Sequence, residues 1–140
     1  MSTIKLRYVI EADNFVTAGE ASSNVKKKLS QLGVAPHIIK RAAVAMYEAE
    51  INAVIHGGGG HAVVDISEDC VVIRIIDKGP GIPDVSLAMT AGYSTAPDSI
   101  REMGFGAGMG LPNIQKHSDK LEINTEIGKG TEVIITVLFN

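Results

Sequence analysis

Glu48 and Asn52 stand four apart in a stretch of helical periodicity, which stacks them on one face, about 100° from the apolar Ala49/Ala53 stripe. An asparagine carbonyl is a hard oxygen ligand suited to Mg²⁺, an ion that keeps several waters and bridges nucleotide phosphates. A neighbouring carboxylate can take the proton of an attacking hydroxyl. Further on, Asp77-Lys78-Gly79-Pro80-Gly81-Ile82 places an acid at the end of an apolar run, with a turn whose glycines leave space beside it. A carboxylate there can accept from the exocyclic amine of a purine. Gly104, Gly106, Gly108 and Gly110 then alternate up to Leu111-Pro112. Such a run lets main-chain N–H groups approach an anion, and Pro112 in the first turn of a following helix aims the positive end of the helix dipole at the same place. It is not a Walker loop, since no Gly-Lys-Ser/Thr follows, and its glycine spacing misses the dinucleotide fingerprint. Taken singly, each pattern also fits a plainer role: a solvated helix face, a turn after a strand, a hinge.

The elements that must hold these residues follow from periodicity. Thr3 to Ile10 alternates as a strand, with Ile4, Leu6, Tyr8 and Ile10 on one face. A helix is expected from about Phe15 to Leu32, with Val25, Leu29 and Leu32 inward and Gly33 as its stop. Lys26-Lys27-Lys28 reads as its solvated face. Pro36 opens a second helix with a buried stripe of Ile39, Ala42, Met46, Ala49 and Ala53. Glu50 on that helix reads as a salt-bridge residue and His56 as a C-terminal cap. Strands are expected at His61–Ser67, Cys70–Asp77, Lys120–Thr125 and Thr131–Phe139, with a helix from Leu111 to His117 between them. Gly79 to Gly110 reads as a long excursion with a short helix near Val85 to Ala91. The order predicts one α+β domain over residues 1–140, a two-layer sandwich in which a mixed, mostly antiparallel sheet is covered on one face by three helices.

Composition narrows the functions. The chain has 140 residues, 45% hydrophobic and 21% charged, with a formal charge of −3, so no net positive field attracts nucleic acid or anionic lipid. Fifteen glycines exceed the roughly ten that average usage gives. The single cysteine excludes an intrachain disulfide or a cysteine-rich zinc cage and suits a reducing compartment. The opening residues lack a signal-peptide layout, and the apolar stretch Val133 to Phe139 is far short of the ~20 residues that span a bilayer. A cytoplasmic location, without membrane or direct nucleic-acid contact, is expected.

In sequence, a helical Glu-x-x-x-Asn, Asp-x-Gly-x-Gly after a strand, Gly-x-Gly-x-Gly-x-Gly-Leu before a helix and Gly-x-Gly-Thr at Gly128 to Thr131 resemble the four boxes of the GHKL ATP-binding family. That family groups gyrase, the ninety-kilodalton heat-shock chaperone, MutL and histidine kinases on the Bergerat ATP-binding fold. The resemblance implies ATP and Mg²⁺ as cofactors. It places Asp77 on the adenine amine, Gly79, Gly81 and Ile82 around the base, and Thr131 as support from the last strand pair. Asn52 would hold Mg²⁺, Glu48 would act as general base, and Gly104, Gly106, Gly108, Gly110 and Leu111 would wrap the phosphates. An ATP lid would run from about 83 to 103, with Arg101 reaching the γ-phosphate. Ser94, Thr95 and Ser99 in it read as turn and capping residues.

Within the family the chain is most similar to the small serine/threonine kinases of the anti-sigma and stress-switch group, the RsbW-like and RsbT-like proteins. Gly79 to Asp84 with Gly92-Tyr93-Ser94-Thr95 resembles the RsbT-like branch. No dimerisation helix carrying an acceptor histidine precedes the site, and no transducer domain fits this length. The resemblance therefore implies a kinase acting on a separate STAS-type antagonist protein. The alternative is an ATP-gated module that sequesters a sigma factor or activates a phosphatase without turnover, and a homodimer is implied by resemblance alone.

Overall fold

Strand β1 (Ile4–Ile10) leads into two helices, α1 (Glu20–Gln31) and α2 (Pro36–Ile55), and then the hairpin β2 (Gly60–Ile66) and β3 (Cys70–Asp77). Among the described residues, helix α3 (Gly110–His117) and the hairpin β4 (Lys120–Glu126) and β5 (Gly130–Leu138) follow. The computed structural model describes residues 3–14, 16–55, 58–82, 85, 89 and 110–140. His56, Arg101, Gly104, Gly106, Gly108 and nearly all of the expected lid lie outside the described residues. Within that stretch Met89 donates its N–H to the Val85 carbonyl at 2.9 Å, the bond of one helical turn.

The five strands form one sheet in the order β1-β2-β3-β5-β4. Every neighbouring pair is antiparallel, so the expected mixed, mostly antiparallel sheet is antiparallel throughout. Chain reversals explain this. α1 and α2 together return the chain to the end where β1 finished, so β2 runs back alongside it. The excursion and α3 carry the chain to the far end, and β5 fills the slot between the parallel-running β3 and β4. Period-two burial follows: Ala62 and Val64, Val71, Ile73 and Ile75, and Ile135 and Val137 face the helices. Against them pack Val25 and Leu29 of α1, the stripe Ile39, Ala42, Met46, Ala49 and Ala53 of α2, and Leu111 and Ile114 of α3. Each such aliphatic side chain contributes roughly 1.5–3 kcal/mol by leaving water. This layered core, an α+β sandwich in which the described residues place three helices on one face of the sheet, is the expected fold.

Helix α1 starts later than periodicity predicts. Asn14 Oδ1 accepts the N–H groups of Val16 and Thr17, both at 3.2 Å, in a turn that competes with helix. Gly19 follows at φ 95°, outside the range of a helical residue. The orphan N–H groups at this start are met from another element. Glu50 of α2, 3% exposed, accepts from Gly19 at 3.0 Å and Ala21 at 3.3 Å with Oε2, and from Ser22 at 3.1 Å with Oε1. Glu50 is therefore a cross-helix cap, not the salt-bridge residue the sequence suggests. At the other end Gly33 donates to Ser30 and Val34 to Leu29, both at 3.1 Å, in a Schellman closure with Gly33 at φ 80°. Leu32, expected inward, is the C-cap and is 49% exposed, because the helix has already turned out at that point.

Among the described residues no helix is long and apolar enough to cross a membrane.

Candidate functional site

The strand directions bring several chain ends to one edge of the sandwich: the C-terminal end of β3 with Asp77, the start of β5 with Gly130 and Thr131, the N-terminus of α3, and the C-terminal half of α2. The sequence spaces these residues far apart; the topology joins them.

Asp77 ends β3, where register places it opposite the start of β5. Its Oδ1 accepts two main-chain N–H groups, from Gly79 two residues on and from Thr131 across the strands, both at 3.0 Å. Among the described residues no donor meets its Oδ2. Two donors on one oxygen lock the carboxylate, leaving the other as a fixed acceptor. The approach is so close that a Cβ on Gly130, at φ 126°, would stand 2.2 Å from the Asp77 carbonyl oxygen, so only glycine fits.

The turn after Asp77 is fastened to the β4–β5 hairpin. Ile82 donates its N–H to Thr125 Oγ1 at 2.8 Å, and Gly128 donates to the Pro80 carbonyl at 2.9 Å. Gly81 sits at φ 84°, and a Cβ there would come within 2.7 Å of the Glu126 carbonyl oxygen. The hairpin backbone therefore occupies the place where a side chain would stand. Thr125 and Thr131 are direct cross-strand partners, and their hydroxyl oxygens lie 2.9 Å apart. Thr131 is 7% exposed. Thr125 escaped the sequence reading, although counting back from the turn at Ile127 to Lys129 would have set it opposite Thr131.

On α2, Glu48 and Asn52 are half-buried beside the fully buried Ala49 and Ala53, as the helical spacing requires. Asn52 faces the first residue of α3: a Cβ on Gly110 would stand 3.0 Å from Nδ2 and 3.1 Å from Oδ1. The N-terminal turn of α3, with Pro112 inside it, thus opens beside the Asn52 amide. Leu111 places its side chain in the core, which leaves only its main chain for the site. Burial pushes the Glu48 carboxyl above its ordinary value, while the neighbouring Asn113 side chain and the charge of His117 draw it back. His117 is itself held through Nδ1 by the Asn113 carbonyl at 2.8 Å, one turn along α3. Neither α3 residue was expected at the site.

Ile82 is half-buried and packs against the core. Gly79 contributes its N–H to Asp77. A cavity of about 480 Å³ lies elsewhere, between β1 and the start of α1, lined in part by Tyr8, Asn24 and Glu50. It contains none of Glu48, Asn52 or Asp77. Among the described residues no group of three or more His, Cys, Asp or Glu could hold a metal ion.

A locked acceptor at a strand end, an Asn–Glu pair on a long helix and a glycine-led helix N-terminus, on an antiparallel sheet with helices on one face, define an ATPase fold of a recognised class. The family described as histidine kinase-, DNA gyrase B-, and HSP90-like ATPase matches residues 37–140, and the chain belongs to it. Within it the chain falls with the small RsbW-like and RsbT-like proteins. It is 34% identical to an anti-sigma F factor of Clostridium beijerinckii over 98% of this chain and 94% of that protein. An anti-sigma F factor of Clostridium acetobutylicum is 29% identical over 97% and 93%. The serine/threonine-protein kinase RsbT of Bacillus subtilis is 31% identical over 91% and 90%.

Proposed function

We propose that this protein is an ATP-dependent protein serine/threonine kinase of the anti-sigma and switch type, acting in the cytoplasm on a small STAS-like antagonist. The observation that carries the reading is the pairing of Glu48 with Asn52 beside the N-terminus of α3, since it sets a base one turn from a hard oxygen ligand. The donor set also suits Mg²⁺. One neutral amide oxygen is too little to hold the ion alone, but it completes a shell of waters and phosphate oxygens, which is how Mg²⁺ is carried on nucleotides. Asn52 would hold it. When bound, Mg²⁺ and ATP supply a phosphoryl group whose charge is already partly offset.

The chain's own residues do the rest. Asp77 Oδ2 accepts from the adenine amine, and Thr131 supports the base. Gly79 serves through its N–H, and Ile82 offers an apolar edge. The main chain of Gly110 and Leu111 faces the phosphates with the positive end of the α3 dipole. Gly104, Gly106 and Gly108 would extend that cradle, and Arg101 in the lid at 83–103 would touch the γ-phosphate. Glu48 accepts the proton of the incoming serine or threonine hydroxyl while its oxygen bonds to phosphorus and the bond to the ADP oxygen breaks. A carboxyl lifted by burial is a stronger base than an exposed one.

The similarity to anti-sigma F factors supports a second reading, an ATP-gated module that sequesters a sigma factor or activates a phosphatase without significant turnover. Labelled ATP, Mg²⁺ and a cognate STAS-type protein separate the two. Transfer of label to a serine or threonine of that protein, lost in Glu48→Gln, upholds the kinase. Stable binding of Mg-ATP and a sigma factor with the nucleotide intact for hours upholds sequestration and overturns the kinase.

A further inference from the structure

Thr125 is part of no motif and has no assigned part in the proposed chemistry, yet its hydroxyl occupies a junction. Its oxygen accepts the Ile82 N–H at 2.8 Å, lies 2.9 Å from Thr131 Oγ1, and reaches the Gly130 carbonyl only at 3.4 Å. Two hydroxyl protons must be placed. If Thr131 donates to Thr125, the Thr125 proton is left with the distant Gly130 carbonyl, a poor bond. If Thr125 donates to Thr131, the strong short contact is kept, and the Thr131 proton is free for an acceptor in the site. A ligand offering that acceptor selects the second arrangement.

We propose that Thr125 is a positioning residue that fixes hydrogen-bond polarity at the base end of the site, so that Thr131, whose main-chain N–H binds Asp77 Oδ1, offers a hydroxyl donor to a base whose amine is read by Asp77 Oδ2, an oxygen that no donor among the described residues meets. The inference rests on the nucleotide reading above and deepens it to base selection. An acceptor beside a donor matches an edge that carries an amine next to an unprotonated ring nitrogen, as adenine does. Hypoxanthine offers the reverse, a carbonyl next to a ring N–H, and meets acceptor with acceptor. Asp77 alone cannot enforce this twofold match, because a single acceptor reads one position.

Calorimetric titration of Mg-ADP, Mg-IDP and Mg-1-deaza-ADP into the parent, Thr125→Val and Thr125→Ser tests this. The 1-deaza base keeps the amine and lacks the ring acceptor. Thr125→Val is expected to lose about fivefold or more in ADP affinity. It should bind 1-deaza-ADP as the parent does and show a smaller ADP-to-IDP preference, with Thr125→Ser restoring parental values. Equal weakening toward all three nucleotides would reduce Thr125 to a packing role, and parental ADP affinity in the valine variant would remove the role altogether. Thr125→Ala is read by the same criteria if valine prevents folding, as checked by circular dichroism. A parent protein that binds none of the nucleotides overturns the nucleotide reading itself, whereas insensitivity confined to the variants overturns only the assignment of Thr125.

Discussion

The Glu50 carboxylate of α2 accepts the main-chain N–H of Gly19 at 3.0 Å, pinning the start of α1 to the middle of the helix that carries the candidate base. Glu48 and Glu50 are two positions apart and therefore face different ways. One is half-buried toward α3. The other is sealed against α1 with three N–H groups around it. Two similar side chains are thus set by helical phase alone for different parts, the proposed chemical one for Glu48 and a structural one for Glu50.

Removing the structural one should cost stability. Glu50→Ala leaves the N–H groups of Gly19, Ala21 and Ser22 without their acceptor in a buried place, which costs about 2–4 kcal/mol. Glu50→Gln keeps one acceptor oxygen but turns an amide toward donors, so an intermediate loss is expected. Urea unfolding followed by circular dichroism measures both, and an unchanged midpoint in the alanine variant would show that water replaces the cap.

The chemical one should fail differently. Glu48→Gln preserves shape and loses the proton acceptor, so phosphoryl transfer should fall by roughly a hundredfold to ten-thousandfold while Mg-ATP still binds. Binding by calorimetry alongside turnover with a labelled nucleotide distinguishes this from loss of the site.

Much of this was legible in the sequence, because period and order act locally. The α2 stripe from Ile39 to Ala53 follows from 3.6-residue spacing, and the strands follow from alternation of β-branched residues. The four motif segments could be ordered without knowing how they meet. What could not be read was whatever depends on a partner distant in the chain. The start of α1 is set by a carboxylate some thirty residues later, and Thr125 acquires its importance from the register of a hairpin and from the Ile82 N–H far upstream. The Asn113 and His117 contributions at Glu48 arise from how α3 lies on α2, and no spacing rule reports that. Nor could spacing report that a Cβ on Gly81 would meet the hairpin, since a glycine after a strand end is equally suited to a ligand and to a close-packed hairpin.

The pH dependence of transfer should follow from the setting of Glu48. Only the ionised carboxylate can accept a proton, and burial raises its pKa, so the acid limb of kcat should lie above the ordinary carboxylate range. The Asn113 side chain and the His117 charge both favour the ionised form. Asn113→Leu should therefore move the limb to higher pH, and His117→Gln should move it the same way by less. A limb that stays in place in Asn113→Leu would show that the side chain leaves the base in the working complex.

Away from the site, Asp119 links α2 to the end of β5. It accepts the Leu138 N–H at 2.6 Å and pairs with Arg41 at 3.1 Å. The Leu138 N–H holds its carboxyl below the usual value; burial opposes this, and Arg41 assists it. A depressed folded-state pKa means the added stability is complete above the unfolded value of about 3.9 and is lost as pH falls through the folded one. The contribution should be at most about 1 kcal/mol, because both side chains are partly exposed. Asp119→Asn should therefore lower the urea midpoint slightly at pH 7 and converge with the parent in strong acid. A difference that persists at low pH would assign the loss to packing instead.

Gly110→Ala separates helix stability from site geometry. Gly110 opens α3 without a left-handed φ, so alanine meets no backbone strain there and favours helix by up to about 1 kcal/mol. Its Cβ, however, would lie 3.0 Å from Asn52 Nδ2 and 3.1 Å from Oδ1, contacts that force the amide aside. An amide that has moved cannot present its oxygen where it faces the α3 N-terminus. The expected result is a thermal midpoint equal to or above the parent's, with Mg-ATP affinity lower by about tenfold, the scale of a modest overpacking cost. The loss should be confined to titrations containing Mg²⁺, because only the ion depends on the Asn52 oxygen. Equal weakening with and without Mg²⁺ would mean that the methyl group blocks the phosphates directly and that Asn52 is not the ligand.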